Sequence, residues 1–316
     1  MDGSVIPLGS DAFFIGRGYI DTTYVVDTIP RGDDKEVAQD YAVSFGGNAV
    51  TAGFCGAHLG LMPAMLSTWA DDWFGHMFED MCRKYGVVLH KRMVTRFPQS
   101  GIFPNNGKRA MVRARDDEYL HGFPHLDISG CKVVHFDGHQ PDAAAFYAHR
   151  ARELRIKTSF DGGSFRGQIT HDLLPFIDVA IVCERFCNQL DRDVTGTLDY
   201  LQERGCSIGG VTLGERGMHW YDETGKRQHL PALAVPSNKV VDTTGAGDVF
   251  HGAYVYSLLT WPEKSWQKHF EFARAASAYA IQHLGNERSL PMLANIDEMI
   301  ATYPEVGANV HQLAVR

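Results

Sequence analysis

Val240-Val241-Asp242-Thr243-Thr244-Gly245-Ala246-Gly247-Asp248-Val249-Phe250-His251-Gly252-Ala253 places two glycines, two hydroxyls and two carboxylates within seven residues, directly ahead of an apolar, helix-compatible segment. A turn over Gly245, Ala246 and Gly247 lets backbone N–H groups converge with little side-chain obstruction. The following helix would point its positive N-terminal end at the same spot. Such a pocket suits an anion, above all the phosphates of a nucleotide. Asp248 is out of character there, because a bound phosphate repels a carboxylate. The role that fits it is taking the proton of a hydroxyl that attacks the terminal phosphate. The plainer reading is a tight turn followed by a helix whose first turn carries an acid. The Asp-Thr-Thr prefix, which sets oxygen ligands beside the turn, weighs against it. No Gly-Lys-Ser/Thr follows the glycines, so this is not a Walker A loop, and the spacing is not that of a dinucleotide-binding turn.

Asp242-Thr243-Thr244-Gly245-Ala246-Gly247-Asp248 resembles, without a mismatch, the C-terminal signature of the ribokinase-like (PfkB) family of carbohydrate kinases. The resemblance implies an anion hole formed by Gly245, Ala246 and Gly247 around the transferring phosphoryl group, with Asp248 as catalytic base. It also implies an α/β fold: three α/β/α layers, a mostly parallel central sheet and a small β-sheet lid over the sugar site. ATP, Mg²⁺ and a monovalent cation such as K⁺ would serve the reaction.

The composition is compatible with that fold. The 316 residues are 44% hydrophobic and 22% charged, enough for a sizeable core. A net charge of −8 argues against nucleic-acid binding through a basic face. No apolar run reaches membrane-span length and no signal pattern opens the chain, so a cytoplasmic protein is expected, with neither membrane nor nucleic acid as a partner. The six cysteines form no Cys-x-x-Cys pair and the fifteen histidines no His-Glu-x-x-His, which leaves zinc motifs unsupported.

Short apolar runs alternate with longer amphipathic segments, the pattern of a parallel sheet covered by helices. Strands are expected at 12–15, 64–67, 133–136, 157–160, 179–182 and 208–213. Helices are expected at 49–59, 72–85, 142–154, 249–259, 265–283 and 296–302. No repeat or long linker interrupts the chain, so 1–316 reads as one domain. Segments 22–45 and 89–119 carry strand-like alternation with charged breaks and would form the lid. A lid that excludes water suppresses hydrolysis of ATP in competition with transfer. Its exposed edges would also suit homodimer formation. Beyond about 304 no pattern is legible.

Asp21 follows the first strand, where α/β folds place ligand loops, and could accept hydrogen bonds from two sugar hydroxyls. On this segment alone a turn or cap residue is an equal reading. Gly46-Gly47-Asn48 opens an Ala/Gly-rich helix, where the glycines admit a ligand to the backbone and Asn48 offers donor and acceptor; a simple helix start reads as well. The family resemblance assigns Asp21, Gly46, Gly47 and Asn48 to the sugar. Lys35 and Arg113, in the lid segments, could meet an anionic substituent, although exposed cations are usually only solvated.

Thr212-Leu213-Gly214-Glu215-Arg216-Gly217 resembles the family's nucleotide segment and equally reads as a hairpin turn. Thr212, Gly214 and Gly217 are its candidates. Asn286 and Ser289 resemble the stretch that closes the adenine pocket and helps bind a monovalent cation, to which Asp242 and Thr244 would add oxygens. The chain departs from the family's Asn-x-x-Glu motif: Cys183 and Phe186 stand where Asn and Glu are expected, leaving Glu184 to help organise Mg²⁺. Arg166, after a predicted strand, could neutralise phosphate or form a structural ion pair.

These residues read as an ATP-dependent kinase acting on a hydroxyl of a small sugar or sugar derivative. A nucleoside kinase is the nearest alternative, with Phe97, Phe103 and Tyr119 available for stacking. A catalytically silent nucleotide-binding regulator is the third.

Overall fold

The computed structural model describes residues 10–105, 108–116 and 118–307. The termini of the expected 1–316 domain and residues 106, 107 and 117 of the expected lid lie outside these described residues. In chain order the strands are β1 (Ala12–Ile15), β2 (Tyr19–Val25), β3 (Asp40–Gly46), β4 (Ala64–Trp69), β5 (Val88–Met93), β6 (Gln99–Asn105), β7 (Lys108–Ala114), β8 (Val133–Phe136), β9 (Lys157–Gly162), β10 (Val179–Cys183), β11 (Ile208–Thr212), β12 (Met218–Tyr221) and β13 (Arg227–Leu230). The helices are α1 (Asn48–Leu59), α2 (Trp73–Lys84), α3 (Pro141–Leu154), α4 (Gln168–Leu173), α5 (Glu184–Leu190), α6 (Val194–Glu203), α7 (Ala246–Thr260), α8 (Trp266–Ala280) and α9 (Leu293–Thr302).

The large sheet runs β13-β12-β11-β10-β9-β8-β1-β4-β5. It is parallel from β11 to β5, and the antiparallel β12–β13 hairpin closes one edge. Its central strands are apolar on both faces because both are covered. In β1, Ala12 and Phe14 join the core under α1, α2, α7, α8 and α9, while Phe13 and Ile15 join the core under α3, α5 and α6. This period-two division makes the three layers.

The helix pair α1–α7 packs closely. A Cβ built on Gly252 would sit 2.3 Å from the Ala52 carbonyl oxygen and 2.7 Å from Cys55 Cβ. Each helix begins at the ligand-facing edge of the sheet, so this seam fixes the two N-termini relative to each other.

The second sheet has the order β3-β2-β6-β7. It corrects the expected lid boundaries: residues 88–93 form β5, paired in parallel with β4 at the edge of the large sheet, and the small sheet begins at Tyr19. Local sequence in 89–93 carries no information about which sheet a strand there joins. α7 also starts three residues ahead of the expected helix, because the glycine turn runs straight into it. Tyr24, Tyr41, Val43 and Val112 are exposed apolar residues of the small sheet.

Gly252→Ala is expected to destabilise the protein by about 1–3 kcal/mol through overpacking of the α1–α7 seam. Urea denaturation would show it as a lower midpoint with an unchanged slope.

Candidate active site

Gly245, at φ 74°, is the N-cap of α7, and no side chain caps this terminus. The helix ladder begins with Val249 N–H donating to the Gly245 carbonyl at 2.8 Å, so the N–H groups of Ala246, Gly247 and Asp248 have no partner within the helix. Gly247 is exposed, and a Cβ built there meets nothing within 4 Å. An uncapped terminus with open space in front of it is an anion cradle built from backbone.

Asp21 stands across from this turn, on β2, paired in register with Ser44 of β3 and Ser100 of β6. Its carboxylate fills the space where Gly46 lacks a side chain: a Gly46 Cβ would be 2.1 Å from Asp21 Oδ2. Gly47 is needed for a different reason, since its φ is 104° and a Cβ would strike the Arg17 carbonyl oxygen at 2.0 Å. Burial raises the Asp21 pKa, while the Ser100 hydroxyl, Arg113, Asn286 and Arg109 pull against that rise.

Asn286 joins the two centres. Its Nδ2 donates to Asp21 Oδ2 at 3.2 Å and to the Phe45 carbonyl at 2.8 Å. Its Oδ1, buried without a hydrogen-bond donor among the described residues, lies 2.2 Å from where a Gly245 Cβ would be. Asn286 thus occupies the seam between Asp21 and the glycine turn.

Behind them lies a buried polar cluster at the C-terminal ends of β8 and β9. Asn48 Nδ2 donates to Asp161 Oδ2 at 3.1 Å, and His251 Nε2 lies 3.7 Å from the same oxygen. Ala49 N–H, at the start of α1, donates to Asp137 Oδ2 at 3.3 Å. Burial pushes the Asp161 pKa up to about 7, with the Asn48 amide opposing it. Burial also works against charge on Asp137, but the His139 ring and N–H and the Arg166 guanidinium outweigh it and hold that carboxyl at about 2. Burial, and then the Asp161 charge, raise the half-buried Asp248 well above the ordinary carboxylate range, while Arg109 opposes the shift. A base with a raised pKa is a stronger proton acceptor once ionised.

The remaining sequence candidates separate. Arg113 on β7 stacks its guanidinium over the Tyr19 ring at 5.2 Å, beside Asp21. Lys35 is exposed in the β2–β3 connection and makes no hydrogen bond or ion pair among the described residues. Thr212 turns its hydroxyl to the Val182 carbonyl at 3.3 Å. Gly214 has φ 61° in an open turn, whereas Gly217 is required by the hairpin itself, its Cβ position lying 2.2 Å from the Leu230 carbonyl oxygen. Phe186 is fully buried in the core, and Glu184 pairs with Arg216 at the surface.

Asp242 is buried and accepts from Thr244 N–H at 2.8 Å and Gly285 N–H at 3.3 Å, with no cationic side chain paired to it among the described residues. Ser289, also buried, donates to the Asn286 carbonyl. A buried carboxylate without a counter-charge, flanked by hydroxyls, fits a monovalent cation. Sequence reading missed Arg109, whose Nη1 lies 3.5 Å from Thr244 Oγ1, reaching from β7 to the glycine turn. It also missed the trio His135, Asp161 and His251, whose ligand atoms lie within 4.8 Å of one another.

Asp161 makes a pH prediction. Its pKa is higher folded than unfolded, so its contribution to stability is present below the unfolded value of about 4 and is lost as pH rises towards about 7. Thermal melts should show Asp161→Asn gaining on the wild type between about pH 4 and 7. A constant difference across that range would contradict the assignment.

Residues 10–293 match the pfkB family carbohydrate kinase model. A ribokinase of Haemophilus influenzae is 33% identical over 295 residues, covering 87% of this chain and 94% of that protein. An ATP-dependent ribose-1-phosphate kinase of Halopiger xanaduensis is 26% identical over 284 residues, covering 86% and 91%. The crystal structure of ribokinase from Cryptococcus neoformans in complex with ADP superposes with a TM-score of 0.76 at 21% identity, covering 92% of this chain and 99% of that one. The uncapped glycine turn, the small sheet beside it and these similarities converge: the chain belongs to the pfkB family of carbohydrate kinases, phosphotransferases that act on hydroxyl groups.

Proposed function

We propose that the protein transfers the γ-phosphoryl group of ATP to a hydroxyl of a sugar or sugar derivative, with Asp248 as the base. The observation that carries this reading is the open N-terminus of α7, where Ala246, Gly247 and Asp248 N–H groups lack helical partners while the Asp248 side chain stands in the same first turn. One short segment thus supplies both the phosphate cradle and the proton acceptor.

Asp21, fixed by Asn286 and by the missing side chain of Gly46, orients the acceptor through its hydroxyls, together with Asn48 and the Gly47 backbone. Asp248 takes the proton of the attacking hydroxyl. The helix N-terminal N–H groups stabilise charge on the transferring group, and Arg109 adds a guanidinium beside Thr244. ATP lies towards the Thr212–Gly217 turn. A monovalent cation held by Asp242, Thr244 and Ser289 would supply positive charge beneath the turn. The four-stranded sheet acts as the lid, its displacement of water favouring transfer over hydrolysis, and its exposed apolar residues suit pairing with a second copy.

An ADP-release assay across neutral sugars, sugar acids, sugar phosphates and nucleosides tests the reading. An active acceptor is expected among the sugars or their derivatives. Asp248→Asn should then lower kcat by about 10²–10⁴-fold with KM little changed. Near-normal turnover of that variant would remove the base, and turnover with nucleosides alone would replace the sugar.

A further inference from the structure

Between the large sheet and α7 lies a buried polar trio that the proposed transfer does not use: His135 on β8, Asp161 on β9 and His251 on α7. Each offers one ligand atom, and these atoms lie within 4.8 Å of one another. His135 pairs in register with Ser159, two residues before Asp161, so both strands turn these side chains to the face that α7 covers. His251 follows Asp248 by three residues on the same helix, one turn further in.

Protein partners leave the two rings unsatisfied. His135 Nδ1 bonds Ser159 Oγ at 2.7 Å, and Ser159 Oγ in turn bonds the Tyr254 hydroxyl. That chain leaves His135 Nε2, which is buried with no hydrogen-bond partner among the described residues. His251 Nδ1 is in the same condition. Its Nε2 stands 3.7 Å from Asp161 Oδ2, too far for a hydrogen bond. Ring nitrogens buried in this way are costly and ask for a partner.

Two imidazoles and a carboxylate are a donor set suited to Zn²⁺ and neighbouring transition metals. With bonds of about 2.0–2.2 Å, ligand atoms around a tetrahedral ion sit roughly 3.3–3.6 Å apart. The 3.7 Å between His251 and Asp161 is close to that spacing. The trio also has outer partners of the kind that orient metal ligands. Ser159 holds His135 Nδ1 and leaves Nε2 for the ion, while Asn48 donates to Asp161 Oδ2 at 3.1 Å. Charge fits as well. Asp137 and Asp248 lie near enough to Asp161 for their charges to act on it or feel it, and a dipositive ion would offset that crowding. Mg²⁺ prefers a near-octahedral shell of oxygens, which this nitrogen-rich set does not offer.

We propose that His135, Asp161 and His251 bind one divalent transition-metal ion of the Zn²⁺ class, joining α7 to β8 and β9 one turn below Asp248. The ion fixes the helix that carries the glycine turn against the sheet. The inference goes beyond the kinase reading and does not rest on it, because binding is read without turnover.

Isothermal titration of the chelator-treated whole protein with Zn²⁺, in excess Mg²⁺, provides the test. One equivalent should bind that Mg²⁺ does not displace, and it should raise the melting temperature. Asp161→Asn should weaken that equivalent tenfold or more. His135→Gln, on the neighbouring strand, gives the same reading if the first variant fails to fold. Ser159→Ala, which leaves all three ligands in place, should weaken binding by about tenfold to a hundredfold. His219 and His229, with ring centroids 4.6 Å apart on β12 and β13, could take a second ion, so the site is identified as the equivalent that these variants lose. If the wild type binds no ion, or the variants match its stoichiometry and affinity, the proposal is wrong. Zn²⁺ binding as described in a protein that phosphorylates no acceptor would defeat the kinase reading and leave this inference standing. The Asp161→Asn melts described above are read on the chelated protein.

Discussion

The two halves of the site are held together by the side chain of Asn286, which binds the Asp21 carboxylate with one end and lies against Gly245 with the other. Two glycines make this contact fit. Gly46 leaves room for Asp21, and Gly245 leaves room for the amide oxygen while adopting the left-handed backbone that starts α7. A Cβ at either position would separate the group proposed to orient the acceptor from the turn proposed to hold the phosphoryl group. Phosphoryl transfer depends on an in-line approach, so sub-ångström control of this distance matters more to rate than the strength of any single bond.

The second constraint is electrostatic. Asp21, Asp137, Asp161 and Asp248 crowd one end of the sheet, and in a dry site four like charges cannot all ionise cheaply. The molecule handles them differently. Asp137 is kept charged by His139, Arg166 and a helix N-terminus, whereas Asp161 and Asp248 are pushed towards the protonated form. Arg109 from the lid strand opposes the rise at Asp248. The small sheet therefore places one guanidinium where it favours the ionised form of Asp248.

What was legible in the sequence follows from what is local. The glycine turn and Asp248 lie within seven residues, so their joint geometry could be read from spacing, as could the period-two strands and the helix expected at 49–59, which the structure begins one residue earlier. Asn286 and Asp21 are 265 residues apart, and nothing in either segment announces the other; only the folded chain shows that Asn286 belongs to the seam. Arg109 was hidden among charged breaks of an alternating strand, where a functional cation and a solvated one look alike. The Asp137 and Asp161 positions did carry a signal, since each stands at the C-terminal end of an apolar strand, where parallel sheets gather ligands. Gly217 shows the opposite case: its positive φ and the close approach of the Leu230 carbonyl at the end of β13 already call for glycine, so its presence there has a structural cause.

The central claim is that the first turn of α7 holds the transferring phosphoryl group beside the base. A crystal structure with a non-hydrolysable ATP analogue and the active acceptor tests it directly. The account predicts the γ-phosphate within hydrogen-bond distance of the Ala246, Gly247 and Asp248 N–H groups, with an acceptor hydroxyl between it and the Asp248 carboxylate. A γ-phosphate bound away from this turn, or an acceptor whose hydroxyls do not reach Asp248, would contradict it.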